Sequence, residues 1–285
     1  MKIAISGSNG YIAAYLIRKL QSVNHQIIKI QRHELYNLTA LTRIISGTDC
    51  VIHLAGAPIL QKWTTENKDE IVRSRTETTQ NLVGAINNLP FEERPKTFIS
   101  ASAIGIYKSD QTHSESSTDY SDEFVGRVVK QWEDSSANLD RSVRKIIFRL
   151  GVVLGKESET VRKLMPVFKL GLGGKVGNGK QPFPFVHIQD VVNAFFWAIQ
   201  NNEVSGIFNL VAPQNIDNSQ FTEALAKKLK RMAIFSVPKS ALKLVYGEAA
   251  SILTESPQAT PERLIHYGYR FKYPDIESSI EEIAE

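Results

Sequence analysis

The sequence predicts an α/β protein, a doubly wound parallel sheet followed by a smaller C-terminal substrate lobe. Short apolar stretches rich in β-branched residues alternate with helical patterns over the first 155 residues, and a glycine-rich turn follows the first stretch. These stretches are nearly continuously apolar, as in strands buried on both faces of a parallel sheet. A chain of 285 residues is long enough for a Rossmann-type domain with a second lobe.

Each element is predicted from its local pattern. The predicted strands cover 2–6, 26–31, 50–56, 96–102, 145–155 and 206–212. The predicted helices cover 11–21, 66–88, 124–139, 159–170, 189–201, 218–231 and 239–253. A further helix is expected to start at Thr260 as N-cap with Pro261 at its first position.

The alternation of strands and helices loosens after residue 155. We therefore expect the Rossmann-type domain to cover 1–155 and the smaller lobe to cover 156–285. The two are predicted to interleave, because 185–210 contains a helix and a strand that would return to the main sheet.

Composition excludes several classes of function. The formal charge of +4 is spread along the chain without a basic stripe, so we expect no nucleic-acid partner. The apolar segment 191–199 is too short to span a bilayer, and no signal peptide precedes the first strand, so we expect no membrane partner. Cys50 is the single cysteine, which fits a reducing, cytoplasmic location. The six histidines show no metal-binding spacing.

The turn after the first strand predicts dinucleotide binding. It reads Gly7-Ser8-Asn9-Gly10-Tyr11-Ile12-Ala13, close to the GxxGxxG pattern. In that pattern the first glycine makes the tight turn, the second lets the backbone approach a pyrophosphate, and the third allows close helix packing. Only the packing glycine is replaced, by Ala13, so we expect a working cofactor turn.

The end of the second strand predicts which dinucleotide binds. Arg32 stands where this strand ends, and an arginine there accommodates the 2′-phosphate of NADP. Glu34 follows two residues later, and an acid there would favour the ribose hydroxyl of NAD. We predict NADP, with NAD less favoured; a solvated arginine at a strand end remains the alternative.

Several segments resemble one branch of the extended short-chain dehydrogenase/reductase superfamily. They are "HLAGAPI" (53–59), "KWTTENKDEIVRSRTETTQNLV" (62–83), "SASAIGIY" (100–107), "FRLGVVLG" (148–155), "FKLGLGGKVGNGKQPFPFVHIQDVVNA" (168–194) and "TPERLIHYGYRFKYPDI" (260–276). The branch is that of the NAD(P)-dependent nucleoside-diphosphate-sugar epimerases with a C-terminal domain of unknown function. The resemblance covers essentially the whole chain.

The resemblance implies an NADP-binding domain with a second lobe closing over a substrate cleft. It implies that the turn and Arg32 contact the cofactor, and that further residues face the bound dinucleotide. The residues implied to contact the cofactor are Gly7, Asn9, Gly10, Tyr11, Ile12, Arg32, Leu54, Ala55, Glu70, Arg75 and Val153. For Glu70 and Arg75 the alternative is a surface salt bridge.

The catalytic pair of ordinary short-chain dehydrogenases is incomplete here. These enzymes use Tyr-x-x-x-Lys, in which the lysine lowers the tyrosine pKa, with a Ser assisting. Ser102 fits the serine position, but Gly126 stands four residues before Lys130 where the tyrosine belongs. Tyr107 follows the serine strand and is the nearest replacement. Ser102, Tyr107 and Lys130 are therefore the candidate proton-transfer residues.

The second lobe adds one candidate for substrate binding. His187 and Asp190 match the "HI.D" signature of the resembled family. Asp190 can equally stabilise the start of the helix 189–201, and His187 can equally be a hydrogen-bonded core histidine.

Two functions follow from these observations. The first is an NADP-binding oxidoreductase or isomerase that acts at a carbinol carbon of a small molecule, in the resembled family a nucleotide-sugar-like one. The second is a non-catalytic NADP(H)-binding sensor or scaffold, favoured by the missing Tyr-x-x-x-Lys pair. Either would be a monomer or a homodimer.

Overall fold

Six parallel strands form the central sheet in the computed structural model, which describes residues 1–109 and 111–284. In chain order the strands are β1 Lys2–Ser6, β2 Gln26–Ile30, β3 Cys50–His53, β4 Thr97–Ala103, β5 Thr112–His113, β6 Arg144–Leu150, β7 Val152–Leu154, β8 Gly174–Val176, β9 Phe185–His187, β10 Gly206–Leu210, β11 Phe235–Val237 and β12 Gln258–Ala259. The central sheet has the order β10-β6-β4-β3-β1-β2. The predicted doubly wound parallel sheet is confirmed.

Helices cover both faces of this sheet. They are α1 Tyr11–Ser22, α2 Leu38–Ile45, α3 Thr65–Asn88, α4 Phe124–Asp134, α5 Glu159–Lys169, α6 Ile188–Gln200, α7 Asn218–Lys228, α8 Lys239–Tyr246, α9 Ser251–Thr254, α10 Glu262–His266 and α11 Ile276–Ala284. No helix in 1–109 or 111–284 is both long and apolar enough to cross a membrane.

Two hydrophobic clusters hold the helices to the sheet. On one face, Leu16 and Leu20 of α1 and Phe195 of α6 pack with Ile3 and Ile5 of β1. On the other face, residues of α2 and α3 pack with the opposite side of the same strands, including Ala4, Val51 and Phe98. Strands covered on both sides must be apolar throughout, which explains the continuous pattern.

The topology reverses between β1 and β3. From β1 the chain first adds β2 on one side, then returns to add β3 on the other side. In open parallel sheets, ligands bind at the carboxyl ends of the strands where the order reverses. The turn after β1 and the residues after β3 lie at this point.

The rest of the chain is interleaved with the main sheet. Strand β10 pairs with β6 at the sheet edge, and α6 packs on α1. Two-stranded parallel pairs join β7 with β9, β8 with β11, and β5 with β12. A separate core cluster unites α5, α7 and α11. The division at residue 155 stays a prediction.

Three predicted boundaries are wrong for identifiable reasons. The predicted strand 145–155 splits into β6 and β7 at Gly151, where a Cβ would lie 2.6 Å from the Pro184 carbonyl oxygen. The predicted helix 239–253 is broken at Gly247, which has φ of +63°. Thr260 is not an N-cap: its backbone N–H donates to the His113 carbonyl oxygen, and α10 begins after Pro261.

Candidate functional site

The glycine turn after β1 packs directly against the end of β3. Gly7 has φ of +68°, and a Cβ on it would lie 2.7 Å from the Leu54 carbonyl carbon and oxygen. The Gly10 N–H donates to the Gly7 carbonyl oxygen at 2.8 Å and closes the turn. A side chain at position 7 would therefore face both backbone strain and a backbone collision.

The turn delivers the start of α1 into the cleft. Gly10 is the N-cap, and no side chain caps this helix end. The first N–H groups of α1 are therefore left for an external acceptor, and the helix dipole favours an anion there. Ala13 is 1% exposed and belongs to the α1 core cluster, so it stands at the packing position as predicted.

Three connected chambers extend from this turn. The outer chamber, of about 420 Å³, runs from the turn past Arg32 and Glu70. The inner chamber, of about 430 Å³, runs from the turn past Ser102 and Val153. The side chamber, of about 340 Å³, opens beyond Trp132. The outer and inner chambers share Gly7, Gly10, Leu54, Ala55 and Gly56, and the inner and side chambers share Arg75, Ala103, Trp132, Leu150 and Gly151.

An exposed ion pair forms one wall of the outer chamber. The Arg32 guanidinium donates to the Glu70 carboxylate, and both residues line the chamber with Asn9. The Glu34 carboxylate accepts the Gln31 backbone N–H at 2.6 Å instead, which closes the turn after β2. The acid beside Arg32 is therefore Glu70 of α3, and Glu34 is committed to the local turn.

The inner chamber contains the remaining predicted cofactor residues. Tyr11, Ile12, Val153 and Arg75 line it together with the residues shared with the outer chamber. The Tyr11 hydroxyl is buried without a hydrogen-bond partner, and burial raises the Tyr11 pKa above its ordinary range. The structure thus brings all the predicted cofactor residues to one continuous cleft.

Ser102 lies on the inner-chamber wall, but its hydrogen points away from the cavity. The Ser102 hydroxyl donates to Glu133 Oε1 at 2.6 Å. Arg149, whose side chain is 1% exposed, holds the same carboxylate through Nε at 2.8 Å and Nη2 at 2.7 Å. Because arginine has only donors, both Glu133 oxygens act as acceptors towards it, and the Ser102 hydroxyl is the donor to Oε1. The Ser102 oxygen keeps its capacity to accept.

Tyr107 belongs to the same buried network. Its hydroxyl accepts from Arg149 Nη1 at 2.6 Å, and its hydrogen is within reach of Asn209 Oδ1 at 2.9 Å and the Ser114 carbonyl oxygen at 3.1 Å. Burial raises the Tyr107 pKa. Although the residue lines the side chamber, its hydroxyl is occupied. The structure therefore does not support Tyr107 as a replacement for the missing catalytic tyrosine.

Lys130 faces away from the inner and side chambers. Its ammonium pairs with Asp134 one turn along α4 at 2.7 Å, and both side chains are exposed. A Cβ on Gly126, in the tyrosine register, would lie 2.2 Å from the Ser121 carbonyl oxygen. The face of α4 that lines the side chamber carries Val125, Val128, Val129 and Trp132. The predicted role of Lys130 in proton transfer is therefore not supported.

Arg75 and Trp132 form the wall between the inner and side chambers. Arg75 donates to the carbonyl oxygens of Ile71 and Ala57, each at 3.0 Å. Its guanidinium carbon lies 5.3 Å from the centre of the Trp132 ring. Burial lowers the Arg75 pKa to about 10. For Arg75 the alternative of a surface salt bridge does not hold, because Arg75 forms no ion pair with any described residue. For Glu70 it does hold, because Glu70 pairs with Arg32 at the surface.

Sequence analysis did not identify His53, a buried histidine whose hydrogen bonds connect β1, β3 and α3 next to the cleft. His53, fully buried at the end of β3, contacts Ser6 Oγ through Nδ1 at 2.6 Å and Thr78 Oγ1 through Nε2 at 3.3 Å. Ser6 Oγ also accepts the Leu54 backbone N–H at 3.3 Å. Burial and the nearby Arg75 charge lower the His53 pKa to about 3, so the ring is neutral. This network fixes the backbone that Gly7 contacts.

His187 and Asp190 hold the C-terminal segment rather than the cleft. His187 caps α6 by accepting the Gln189 N–H at 3.3 Å, and its Nε2 contacts Glu282 at 3.0 Å. Asp190 accepts the backbone N–H groups of Lys272 and Tyr273 at 2.7 and 2.9 Å. His187 is fully buried and lines none of the three chambers. The predicted substrate contact of His187 is therefore not supported.

The sequence analysis also did not identify the buried ion pair of Arg149 and Glu133. A signal existed, because an arginine in the middle of the apolar strand "KIIFRLG" requires a buried partner. Trp132 next to Glu133 gave no signal, since an aromatic residue on a helix is ordinarily part of the core. Its position on the cavity wall depends on how α4 packs. No group of acidic, histidine or cysteine side chains within 1–109 and 111–284 has the arrangement of a metal site.

Comparison with known proteins gives consistent results over the whole chain. The model of the NAD dependent epimerase/dehydratase family matches residues 3–210, and that of a domain of unknown function, DUF1731, matches residues 237–283. Epimerase family protein SDR39U1 homolog, chloroplastic, of Arabidopsis thaliana is 30% identical, over 100% of this chain and 87% of that protein. Epimerase family protein SDR39U1 of Homo sapiens is 30% identical over 100% of both chains.

A solved structure has nearly the same fold. The human epimerase family protein SDR39U1 (isoform 2), crystallised with NADPH, superposes with a TM-score of 0.92 at 29% identity. The match covers 100% of this chain and 99% of that chain.

Proposed function

The chain belongs to the NAD dependent epimerase/dehydratase family, and from that premise we propose that it binds NADP(H) and interconverts a carbinol and a carbonyl group of a small molecule. The observation that carries the proposal is the continuous cleft at the point where the strand order reverses. Its central constriction is built from Gly7, Gly10 and the end of β3, with the open N-terminus of α1 between the two chambers.

The chemistry of the chambers fits a dinucleotide. Backbone N–H groups at Tyr11 and Ile12 suit a pyrophosphate, because they are donors at the positive end of a helix dipole. The outer chamber would take the adenosine end along Leu54 and Ala55, and the inner chamber would take the nicotinamide end beside Val153. When bound, the nicotinamide supplies or accepts a hydride.

Arg32 supports NADP over NAD. Its guanidinium lies on the outer-chamber wall, and a planar fork of donors suits a 2′-phosphate. The human relative was crystallised with NADPH, in agreement with this choice. Glu70 works against it, because its carboxylate already neutralises Arg32 and would stand close to a second anion. We therefore expect a 2′-phosphate to compete with Glu70 for Arg32.

Ser102 would position the reacting oxygen. Because its hydrogen is donated to Glu133, its oxygen can accept a hydrogen bond from a substrate hydroxyl in the inner chamber. This arrangement would orient a carbinol for hydride removal, and the hydroxyl proton of the carbinol would be released to water. In the reverse direction, the carbonyl oxygen would take its proton from water, since Tyr107 and Lys130 are committed elsewhere.

A non-catalytic NADP(H) sensor or scaffold is the second candidate. The observation in its favour is the apolar chamber-facing side of α4, which has no tyrosine or lysine for proton transfer. In this case the binding of NADP(H) would change how the smaller C-terminal lobe contacts a partner protein. No substrate would be turned over.

The working form we propose is a cytoplasmic monomer or homodimer without nucleic-acid partners. Cys50 is the one cysteine and is fully buried in β3. The chain therefore contains no intrachain disulfide, and a reducing compartment would not weaken the fold. Burial also raises the pKa of this thiol to about 12, which keeps it unreactive.

Two measurements test the proposal in sequence. NADPH at a hundredfold excess over its Kd should add about 2.7 kcal/mol to the free energy of unfolding, and calorimetry would detect this. The loaded protein would then be mixed with aldehydes, ketones, 2-oxo acids and sugar nucleotides, and the nicotinamide absorbance followed. Binding without any redox change would select the sensor, and no binding of NADPH or NADH would overturn both candidates.

A further inference from the structure

Two neighbouring segments in the C-terminal part of the chain expose apolar side chains to solvent. They are the turn that joins α5 to β8 and the segment that joins α7 to β11. Leu170 is 75% exposed, and Met232 and Ile234 are each 72% exposed, with Leu172 and Phe235 exposed as well. These five residues form what we call the apolar tip. A cluster of exposed apolar residues, unlike a single one, is typical of a binding surface.

Direct contacts join the two segments of the tip. Arg231 Nε donates to the Lys169 carbonyl oxygen at 2.9 Å, and Phe235 at the start of β11 pairs with Gly174 at the start of β8. Because these strands are parallel, the residues that precede them lie at the same end of the pair. Gly171, in the turn before β8, has φ of +74° and no atom within 4 Å of its absent Cβ. The turn therefore has open space around it.

The chain on both sides of the tip is strongly basic. Residues 162–184 contain five lysines and arginines and no acid, and residues 224–247 contain six and no acid. These 11 of the 34 basic side chains leave 23 in the rest of the chain, against 30 acidic ones. Among the described residues, Lys163 and Lys228 are the two of the 11 that pair with an acid. Neither range is a basic stripe by itself, but the fold joins them into one positive surface.

Helix α8 continues this combination of cations and apolar residues. It begins at Lys239, whose Cε lies 3.2 Å from the absent Cβ of Gly177, the residue that follows β8. No residue of α8 is fully buried, and Leu244, next to Lys243, is 84% exposed. Within the described part of the chain, α8 thus leaves an apolar and basic face uncovered.

Charge and shape select among the possible occupants of this surface. A second copy of the chain would bring two positive surfaces together, and like charges repel across an interface. A nucleic acid would bind the cations but leave the aliphatic side chains without apolar contacts. A protein partner would need a groove shaped for the projecting turn. A lipid surface adapts to any arrangement, because acyl chains accept aliphatic side chains and anionic headgroups attract lysine and arginine.

We propose that the apolar tip docks on an anionic lipid surface, with Leu170, Leu172 and Ile234 entering the headgroup region and the surrounding lysines and arginines contacting the negative headgroups. This attachment is peripheral and does not depend on the proposed NADP(H) function. Our expectation of no membrane partner concerned a segment that spans the bilayer, and binding at the bilayer surface needs none.

Sedimentation with lipid vesicles tests the proposal on the full-length protein. Vesicles of phosphatidylcholine and phosphatidylglycerol in equal parts supply negative headgroups, and vesicles of phosphatidylcholine alone supply acyl chains without net charge. The protein should bind the mixed vesicles at least about tenfold more tightly, because each lysine or arginine near a negative surface adds a severalfold gain. Added salt should reduce this preference.

The apolar contact is tested by the double variant Leu170→Ser/Ile234→Ser. Its affinity for the mixed vesicles should fall at least about tenfold, because two aliphatic side chains no longer leave water on docking. Phe91→Ser is the matched control, since Phe91 is 68% exposed on the turn between α3 and β4. The control should bind vesicles like the wild type, and neither variant should change the Kd of NADPH.

The charge contact is tested by the double variant Lys169→Gln/Lys227→Gln. Both lysines are in the last turns of the helices that precede the tip, so their loss should weaken binding to the mixed vesicles at least about tenfold. Arg43→Gln/Arg141→Gln is the matched control, because it changes the net charge equally at exposed positions elsewhere. It should bind the vesicles within about threefold of the wild type.

Four results would overturn the proposal. One is equal binding of the wild type to mixed and to pure phosphatidylcholine vesicles, or binding to neither. Another is vesicle binding that Leu170→Ser/Ile234→Ser leaves unchanged. The third is a dimer in equilibrium sedimentation that this variant abolishes, which would assign the tip to a second copy. The fourth is duplex DNA binding as tight as vesicle binding. NADPH binding is measured separately by calorimetry, so failure of the proposed function is distinguishable from each of these.

Discussion

The glycine turn and helix α4 border the same cleft but are determined in different ways. In the turn, Gly7 is required by its own backbone angle and by the Leu54 backbone 2.7 Å from its absent Cβ. On α4, Gly126 is required by the Ser121 carbonyl oxygen, 2.2 Å from its absent Cβ, while Val125, Val128, Val129 and Trp132 of the same helix line the side chamber. Both glycines allow two backbone segments to pack closely, but only the first lies in the turn where we propose that the cofactor binds.

Dinucleotide binding and tyrosine-based proton transfer ordinarily occur together in the superfamily, and the difference between these two regions separates them. The turn that we propose holds a dinucleotide has its two predicted glycines, whereas the Tyr-x-x-x-Lys pair for proton transfer is absent from α4. Restoring a tyrosine at position 126 would not restore the pair, because its Cβ would overlap the Ser121 carbonyl. Positions 125 and 129 are one turn apart and face the side chamber, so an ordinary pair would have to stand there.

The largest expected effect is on the turn itself. Gly7→Val should abolish NADPH binding, because a β-branched side chain at positive φ cannot fit against Leu54 without moving the turn. Calorimetric titration would measure this, with Gly171→Val as the control at another positive-φ glycine where no atom lies within 4 Å of the absent Cβ. Retained NADPH affinity in Gly7→Val would show that the turn does not hold the cofactor.

The next effect concerns the buried pair beneath α4. Arg149→Met should lower the free energy of unfolding by about 3–5 kcal/mol, because Glu133 is left as an uncompensated, nearly buried carboxylate. Urea denaturation would measure the loss. The double variant Arg149→Met/Glu133→Gln should recover much of it, since no charge then remains without a partner. A double variant no more stable than the single one would contradict the assignment of the cost to charge burial.

The neutral histidine under the turn predicts a pH dependence. The folded-state pKa of His53 is lowered from 6.5 to about 3, so the unfolded chain binds a proton that the folded protein does not. Stability should therefore fall as the pH drops from 6.5 towards 3, by up to about 1.4 kcal/mol per pH unit from this residue. His53→Gln should remove this part of the slope, and exposed His266→Gln should leave it unchanged. Equal slopes in the His53 variant and the wild type would exclude the effect.

The smallest effect is expected at the outer-chamber ion pair. Glu70→Gln frees Arg32 and removes the anion beside the 2′-phosphate position, so NADPH should bind up to about fivefold more tightly, as for an exposed charge pair. The gain should shrink at high salt. Asp69→Asn, an exposed neighbour on α3, is the control. Weaker NADPH binding in Glu70→Gln would mean that Glu70 orients Arg32 rather than competing with the phosphate.

Much of the fold could be predicted because local pattern determines it. Strands covered on both faces, such as β1 and β3, are continuously apolar, and a helix such as α3 shows its full length in its periodicity. Two of the errors occurred where a distant contact decides. The break at Gly151 depends on Pro184, and the hydrogen bond of Thr260 depends on His113, which is remote in sequence.

The site was predictable only where the backbone defines it. Gly7 and Gly10 could be placed because their spacing carries the geometry. Lys130 could not, because the direction a helical side chain takes depends on how α4 rotates against its neighbours. Arg75 was found through family resemblance, but its position between two chambers needed the packing of Trp132 against it.

The most direct test of the proposed cofactor site compares NADPH with NADH, which lacks the 2′-phosphate. Titration calorimetry on the wild type and on Arg32→Ala would give four dissociation constants. Because a charged hydrogen bond contributes about 1.5–3 kcal/mol, we predict that NADPH binds the wild type at least about tenfold more tightly than NADH. This preference should vanish in Arg32→Ala with the NADH affinity unchanged. Equal affinities in the wild type, or equal weakening of both dinucleotides by the substitution, would contradict the assignment of Arg32 to the 2′-phosphate.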